Sequence, residues 1–397
     1  MAESAFAFYR AGALLMATDL APTPRTGLLV QCSGDAHVSN FGWYGSPERD
    51  LVFDANDFDE TMRGAWEWDL KRLVASFVIA SQDNGFKKKD QRKAATAASR
   101  AYRDAMNRFA SAGVLETWYA HINADNVLDQ LRAEGRSKGA RRAQKAMKKA
   151  SGKDSKHVLG KIGEKVDGHW RIIDDPPFIV PLRSMEFPPD FKDVEHTVHS
   201  IFERYVDSVR PAIRALVTKF RVTDVALKVV GVGSVGTRCY IAMLEGNTPD
   251  DVLFLQIKQA DQSVLENEFG MSSLAHHGQR VVEGQRLMQT TSDIMLGWTT
   301  ADGGHQYYVR QLKDMKASPE LDEFDTDDMV KYAKVCGAVL AHAHARSGDP
   351  VMIAGYIGTG DVFADAVSDF GVAYAAQNTK DYKAFLDRMK EDPPIVT

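Results

Sequence analysis

Seven acids and a single base, Arg63, lie between Asp50 and Asp69. Asp54 directly follows the apolar run Leu51-Val52-Phe53, so its carboxylate leaves the end of a strand expected to be buried. Like charges gather there only when a cation offsets their repulsion. Mg2+, held by one or two carboxylates together with substrate phosphates, is such a cation. An acidic surface loop is the plain alternative. Much later, Gly231, Gly233 and Gly236 form a G-x-G-x-x-G pattern that includes Ser234, and Lys258 interrupts the apolar segment FLQIKQA. Glycines let a backbone approach phosphates closely, but they also serve ordinary turns. A lysine in an apolar strand must be paired or reach solvent, and edge strands often carry one.

The surroundings of these motifs narrow the chemistry. A dinucleotide-binding fingerprint needs a helix after its glycines. Here TRCYIAML follows, which is β-branched and aromatic and reads as a strand. A strand, glycine loop and strand over nucleotide phosphates is the form used by protein kinases. Their lysine lies on the third strand and pairs with a glutamate of the next helix, here Glu283, with Glu266 and Glu268 as rivals. Asp35 and Asn40 stand five residues apart, the interval of the kinase catalytic-loop Asp and Asn, and Asp54 ends the next strand. In that pattern Asp35 accepts a hydroxyl proton, while Asn40 and Asp54 bind metal. His37 is either a metal ligand or a turn histidine bonded to backbone. Gln311, in the stretch Arg310 to Leu312 that closes the segment QYYVRQL, falls near where a hinge would meet adenine.

These residues need elements to hold them. A helix over residues 5–20 ends at Pro22 and Pro24, and strands at 28–32 and 51–53 lead into GDAHVSNFG and DANDFDE. Helices are predicted over 66–80 and 91–110, then over 194–217. The proline-rich stretch 174–189 reads as irregular crossover. Strands at 226–230, 238–244 and 252–260, a helix at 281–288, and strands at 293–299 and 306–312 compose a β-rich unit, closed by a helix over 329–346. Residues 132–161 carry eleven Lys or Arg and two acids, either a solvated face or a cover attracting an anionic acceptor. Trp66, Trp68, Tyr307 and Tyr308 either line a pocket or fill the core.

Composition excludes several classes. With 397 residues, 44% hydrophobic, the chain has enough material for two lobes, and disorder and coiled coil are ruled out. A formal net charge of -5 speaks against nucleic-acid or membrane-surface binding. Cys32, Cys239 and Cys336 are too far apart for a CxxC site or a disulfide frame, and no leader or spanning segment is evident, so a cytoplasmic location is expected.

GDAHVSNFG, FDANDFDET and WEWDLKRL, with LAHAHARSGD and IAGYIG, resemble the bacterial family called domain of unknown function 2252 over nearly the whole chain. GDAHVSN is also similar to the HGDxHxxN loop of aminoglycoside and choline phosphotransferases. That resemblance implies Asp35 as catalytic base, Asn40 and Asp54 as metal ligands, Asp57 as a further ligand, and Asp69 as the helix-borne brace of the loop. Ser33 replaces the histidine of that loop. Because the glycine loop follows the catalytic-loop motif, the expected fold is α+β, two-lobed, kinase-like and circularly permuted. Its parts are a catalytic-loop segment (1–130), a basic and proline-rich insertion (131–192), a small antiparallel β lobe (193–315) and a closing helical segment (316–397). The expected activity is ATP- and Mg2+-dependent transfer of a phosphoryl group to a small-molecule hydroxyl. A nucleotide-binding scaffold and a two-metal phosphoesterase are the alternatives.

Overall fold

Two short helices, Ala5–Arg10 and Ala13–Leu20, open the chain and break at Gly12, where a single helix was expected. The computed structural model describes residues 1–123, 147–148, 151–152, 155–186, 194–229, 237–248, 250–312 and 315–391. The glycine loop at Gly231, Gly233, Ser234 and Gly236 lies outside them, as does most of the basic block. Strands β1 (Leu29–Cys32), β2 (Phe41–Gly45), β3 (Leu51–Ala55) and β4 (Met62–Ala65) come next. β1 pairs antiparallel with β4, and the β2–β3 hairpin is extended by β5 (Ile122–Asn123). The sequence pattern misses β2 and β4, because neither is a continuous apolar run.

A ribbon of β6 (Gly163–Val166) and β7 (His169–Ile172) precedes the main sheet. That sheet comprises β8 (Ile179–Pro181), β9 (Arg221–Lys228), β10 (Cys239–Glu245), β11 (Val252–Gln259), β12 (Gly297–Thr300) and β13 (Gln306–Gln311), in the spatial order β12-β13-β11-β10-β9-β8. Every pairing in it is antiparallel. Residues alternate between its faces. Ala226, Ile241, Met243 and Phe254 meet Val158 and Leu159 of the helix Ser155–Ile162, while Val225, Ala242, Leu244, Leu255 and Val309 meet Tyr205 and Val206 of the helix Val194–Ser208. The proline-rich stretch is thus partly regular: β8 is an edge strand, the position in a sheet that tolerates Pro181. The helix expected over 194–217 restarts at Pro211, which supplies the first residue of Pro211–Val217.

The larger core gathers the helices Trp66–Asp83, Lys88–Ser111, Thr326–Ser347 and Val362–Glu391. The first of these is buried along nearly its whole length, so its polar side chains must find partners inside. Trp66, Trp68, Tyr307 and Tyr308 are all buried, as the core reading of those aromatics requires. Among the described residues no helix is long and apolar enough to cross a membrane.

Candidate functional site

Gly34 starts the loop after β1 with φ of 77°, and a Cβ there would collide with the carbonyl oxygen of Glu60. Asp69, in the first turn of Trp66–Asp83, accepts from the backbone N–H of Ser33 (2.6 Å) and of Gly34 (3.0 Å). These two bonds tie the first turn of that helix to the loop after β1. His344 adds a contact that the motif alone did not indicate: its Nε2 lies 3.2 Å from Asp69 Oδ2 and its Nδ1 lies 2.8 Å from the Tyr102 hydroxyl. Imidazole thus reaches the loop's anchor from another helix.

Asp35 is the most accessible member of this group, its side chain 21% exposed. Its Oδ1 accepts from Arg72 Nε at 2.6 Å, and Arg72 Nη2 is 2.5 Å away. Asn40 donates through Nδ2 to the Asp35 backbone oxygen (2.9 Å) and to Asp35 Oδ2 (3.5 Å). That engages the amide nitrogen and leaves the amide oxygen as the donor available to a cation. His37 Nε2 lies 3.7 Å from Asp35 Oδ2. Burial pushes its pKa down to about 4, so at neutral pH the ring is uncharged.

Lys258 of β11 reaches the same loop system. It is buried and forms an ion pair with Asp59, whose other oxygen accepts from the Tyr308 hydroxyl at 2.8 Å. Burial works against the ammonium, but Tyr308, Asp59 and Asp57 outweigh it and hold the Lys258 pKa above the usual lysine value. Around Asp57, burial is likewise outweighed, here by Lys258, Arg310 and Lys316, and its carboxyl stays below the usual carboxylate range. Lys316 is pushed down to about 8 by burial and by neighbouring Arg310. A cleft of ≈ 250 Å³ opens beside these cations, lined in part by Asn56, Gln256, Arg310, Gln311 and Lys316.

One expectation is corrected. Lys258 does not pair with Glu283, which instead bonds Arg286 at 2.8 Å one helical turn on, nor with Glu266, which faces Arg280 at 3.9 Å. The acidic partner comes from the loop after β3. Asp54 occupies surroundings of its own: its neighbouring cation is Arg346, and burial pushes its pKa up to about 7. The carboxylates close to Lys258 are those of Asp59 and Asp57, not that of Asp54. Gln311 does line the cleft, but its backbone N–H already donates to Asp293 at 2.5 Å.

Asp59, Arg72, Lys316 and His344 were not singled out from sequence. Only Arg72 carried a usable signal, a cation three residues after Asp69 on an otherwise apolar helix face. Among the described residues no three His, Cys, Asp or Glu side chains are grouped to hold a metal. Neither the curated proteins nor the solved structures yield a match to this chain. A family model described as an uncharacterized protein conserved in bacteria (DUF2252) matches residues 1–388, and the chain belongs to that family.

Proposed function

We propose that this protein is an ATP- and Mg2+-dependent phosphotransferase acting on the hydroxyl of a small molecule. One observation carries the reading: Lys258, from the third strand of the β9-β10-β11 run, meets the Asp57–Asp59 segment that follows the loop of Asp35 and Asn40, with 199 residues between Lys258 and Asp59. Phosphoryl transfer needs that convergence, since its catalysis is positioning plus neutralisation of charge. Further support comes from the helix His277–Met288 between β11 and β12, and from the neighbouring of β11 and β13, which suit a lysine-bearing small lobe placed after the catalytic loop in a permuted order.

Within this reading Asp35, accessible and held by Arg72, accepts the acceptor's proton. Lys258 contacts the nucleotide phosphates once its pairing with Asp59 is exchanged for them. Asp57 and the Asn40 amide oxygen are hard donors suited to Mg2+, which when bound neutralises charge on the transferring phosphoryl group. Arg310 and Lys316 extend the positive lining of the cleft.

The test is calorimetric titration of the full chain with ATP and Mg2+, followed by assay of ATP turnover in the parent and in Asp35→Asn. Binding with turnover that the variant abolishes supports a transferase. Saturable binding with no turnover, in the presence of a broad set of hydroxylated acceptors, supports the scaffold instead, and absence of binding overturns both.

A further inference from the structure

We propose that Arg72 is the positioning residue of Asp35, and that the N-terminal helix Ala5–Arg10 belongs to the site because it fixes the Arg72 guanidinium. The inference rests on the phosphotransfer reading for its catalytic meaning, but its geometry stands independently. Both contacting nitrogens of Arg72 converge on one oxygen of Asp35, Oδ1. The other oxygen, Oδ2, is approached by Asn40 Nδ2 at 3.5 Å and His37 Nε2 at 3.7 Å. An arginine fork used this way selects the rotamer of the carboxylate and, with it, the oxygen offered to an incoming hydroxyl.

The guanidinium is itself held. Arg72 Nη2 donates to the Tyr9 carbonyl oxygen at 3.2 Å, the Tyr9 ring lies 4.6 Å from the guanidinium carbon, and the Tyr9 hydroxyl donates to the Arg72 carbonyl oxygen at 2.8 Å. Tyr9 packs edge-on against Tyr374 of the C-terminal helix at 6.2 Å, and Asn378 of that helix donates to the Ala5 carbonyl oxygen at 3.1 Å. The first helix therefore contacts Arg72 directly through Tyr9, and the C-terminal helix in turn holds the first helix. Asp69 and Arg72 sit one turn apart on a single buried helix. Through Asp69 that helix sets the backbone of the loop, and through Arg72 it sets the loop's reactive carboxylate. A general base has to be held to within a fraction of an ångström, and a misplacement of about 1 Å lowers rates about 100-fold.

Complete removal of the Arg72 side chain would leave Asp35 without its cationic partner and would endanger folding. The experiment therefore uses Arg72→Gln, Arg72→Lys and Tyr9→Leu in the full chain, with thermal melting to verify folding. Steady-state ATP turnover in Mg2+ is measured with water as acceptor, together with hydrogen exchange of the amides at residues 34–40. The expected result is a fall of about 100-fold in kcat for Arg72→Gln with KM for ATP within about twofold of the parent. Arg72→Lys should recover part of the loss, and Tyr9→Leu should lose about 10-fold. Folded Arg72→Gln with parental kcat overturns the proposal. If the parent turns over no ATP with water or with a broad set of hydroxylated acceptors, the phosphotransfer reading falls alone and exchange decides: faster exchange at 34–40 in Arg72→Gln, reversed in Arg72→Lys, upholds the positioning role, and unchanged exchange refutes it. Should Arg72→Gln fail to fold, the same readouts on Arg72→Lys and Tyr9→Leu decide, with parental kcat and exchange in both overturning the claim.

Discussion

His344 Nε2 lies 3.2 Å from Asp69 Oδ2 in the core, with 275 residues of chain between them. Both side chains are almost fully buried, and the second imidazole nitrogen is engaged by Tyr102. Replacing His344 by Leu removes a partner from a buried carboxylate that also carries the loop of Asp35. Losing such a partner costs about 1–3 kcal/mol. Urea unfolding of His344→Leu should show a loss in that range, with a smaller loss for Tyr102→Phe. A parental midpoint in His344→Leu would mean that the backbone bonds from Ser33 and Gly34 satisfy Asp69 by themselves.

Gly34→Ala tests the entry of the loop. Alanine would have to adopt φ of 77° while its methyl meets the Glu60 carbonyl oxygen. Either the loop shifts or the strain remains, and strain of this kind costs on the order of 1–3 kcal/mol. Reduced stability is expected together with lowered turnover, because the displaced segment carries Asp35. Differential scanning calorimetry and the ATP assay check the two effects separately.

Asp54 gives a pH signature of definite sign. Its carboxyl ordinarily titrates at 3.8 and in the folded chain at about 7, chiefly through burial. Between those values the folded chain keeps a proton that the unfolded chain has released, so this group makes stability fall as pH rises from about 4 to 7, with no further change above. Asp54→Asn abolishes that titration. Relative to the parent, the variant should gain stability from pH 5 to pH 8, by about 3 kcal/mol at most. Denaturant midpoints at the two pH values supply the comparison, and a constant difference would show that Asp54 is already ionised at pH 5.

Lys258 and Glu283 separate two accounts of the nucleotide lobe. Because Lys258 is paired with Asp59 and Glu283 with Arg286, Glu283→Gln should leave ATP affinity within about twofold of the parent, as expected for a partly exposed ion pair. Lys258→Met should weaken ATP binding about 10-fold or more, the scale of one lost charge-assisted contact. Calorimetric titration of both variants with ATP and Mg2+ decides. A large effect of Glu283→Gln would indicate that nucleotide binding recruits the glutamate to Lys258.

Much of the architecture was readable because its causes are local. The apolar patterns along 226–230, 238–244 and 252–260 and the helical spacing along 66–80 and 329–346 mark elements whose observed bounds are Arg221–Lys228, Cys239–Glu245, Val252–Gln259, Trp66–Asp83 and Thr326–Ser347. The β2 and β4 strands and the break at Gly12 escaped, since short strands of mixed polarity leave little pattern. Of the candidate site, Asp35, Asn40, Asp57, Asp69 and Lys258 are the residues that type, spacing and resemblance single out. Their partners are not singled out. Asp59 looked like one acid among seven, and nothing local ties Lys258 to it rather than to Glu283.

Sequence alone determined which groups are present, which strand bears the lysine and which helix bears Asp69 and Arg72, because periodicity and turn chemistry act over a few residues. Only the tertiary structure decided the pairings: Lys258 with Asp59, His344 with Asp69, and Arg72 between Asp35 and Tyr9. The physical reason is that a buried charge takes as partner whichever opposite or polar group the packing of remote segments brings within about 3 Å, and sequence separation does not enter that choice.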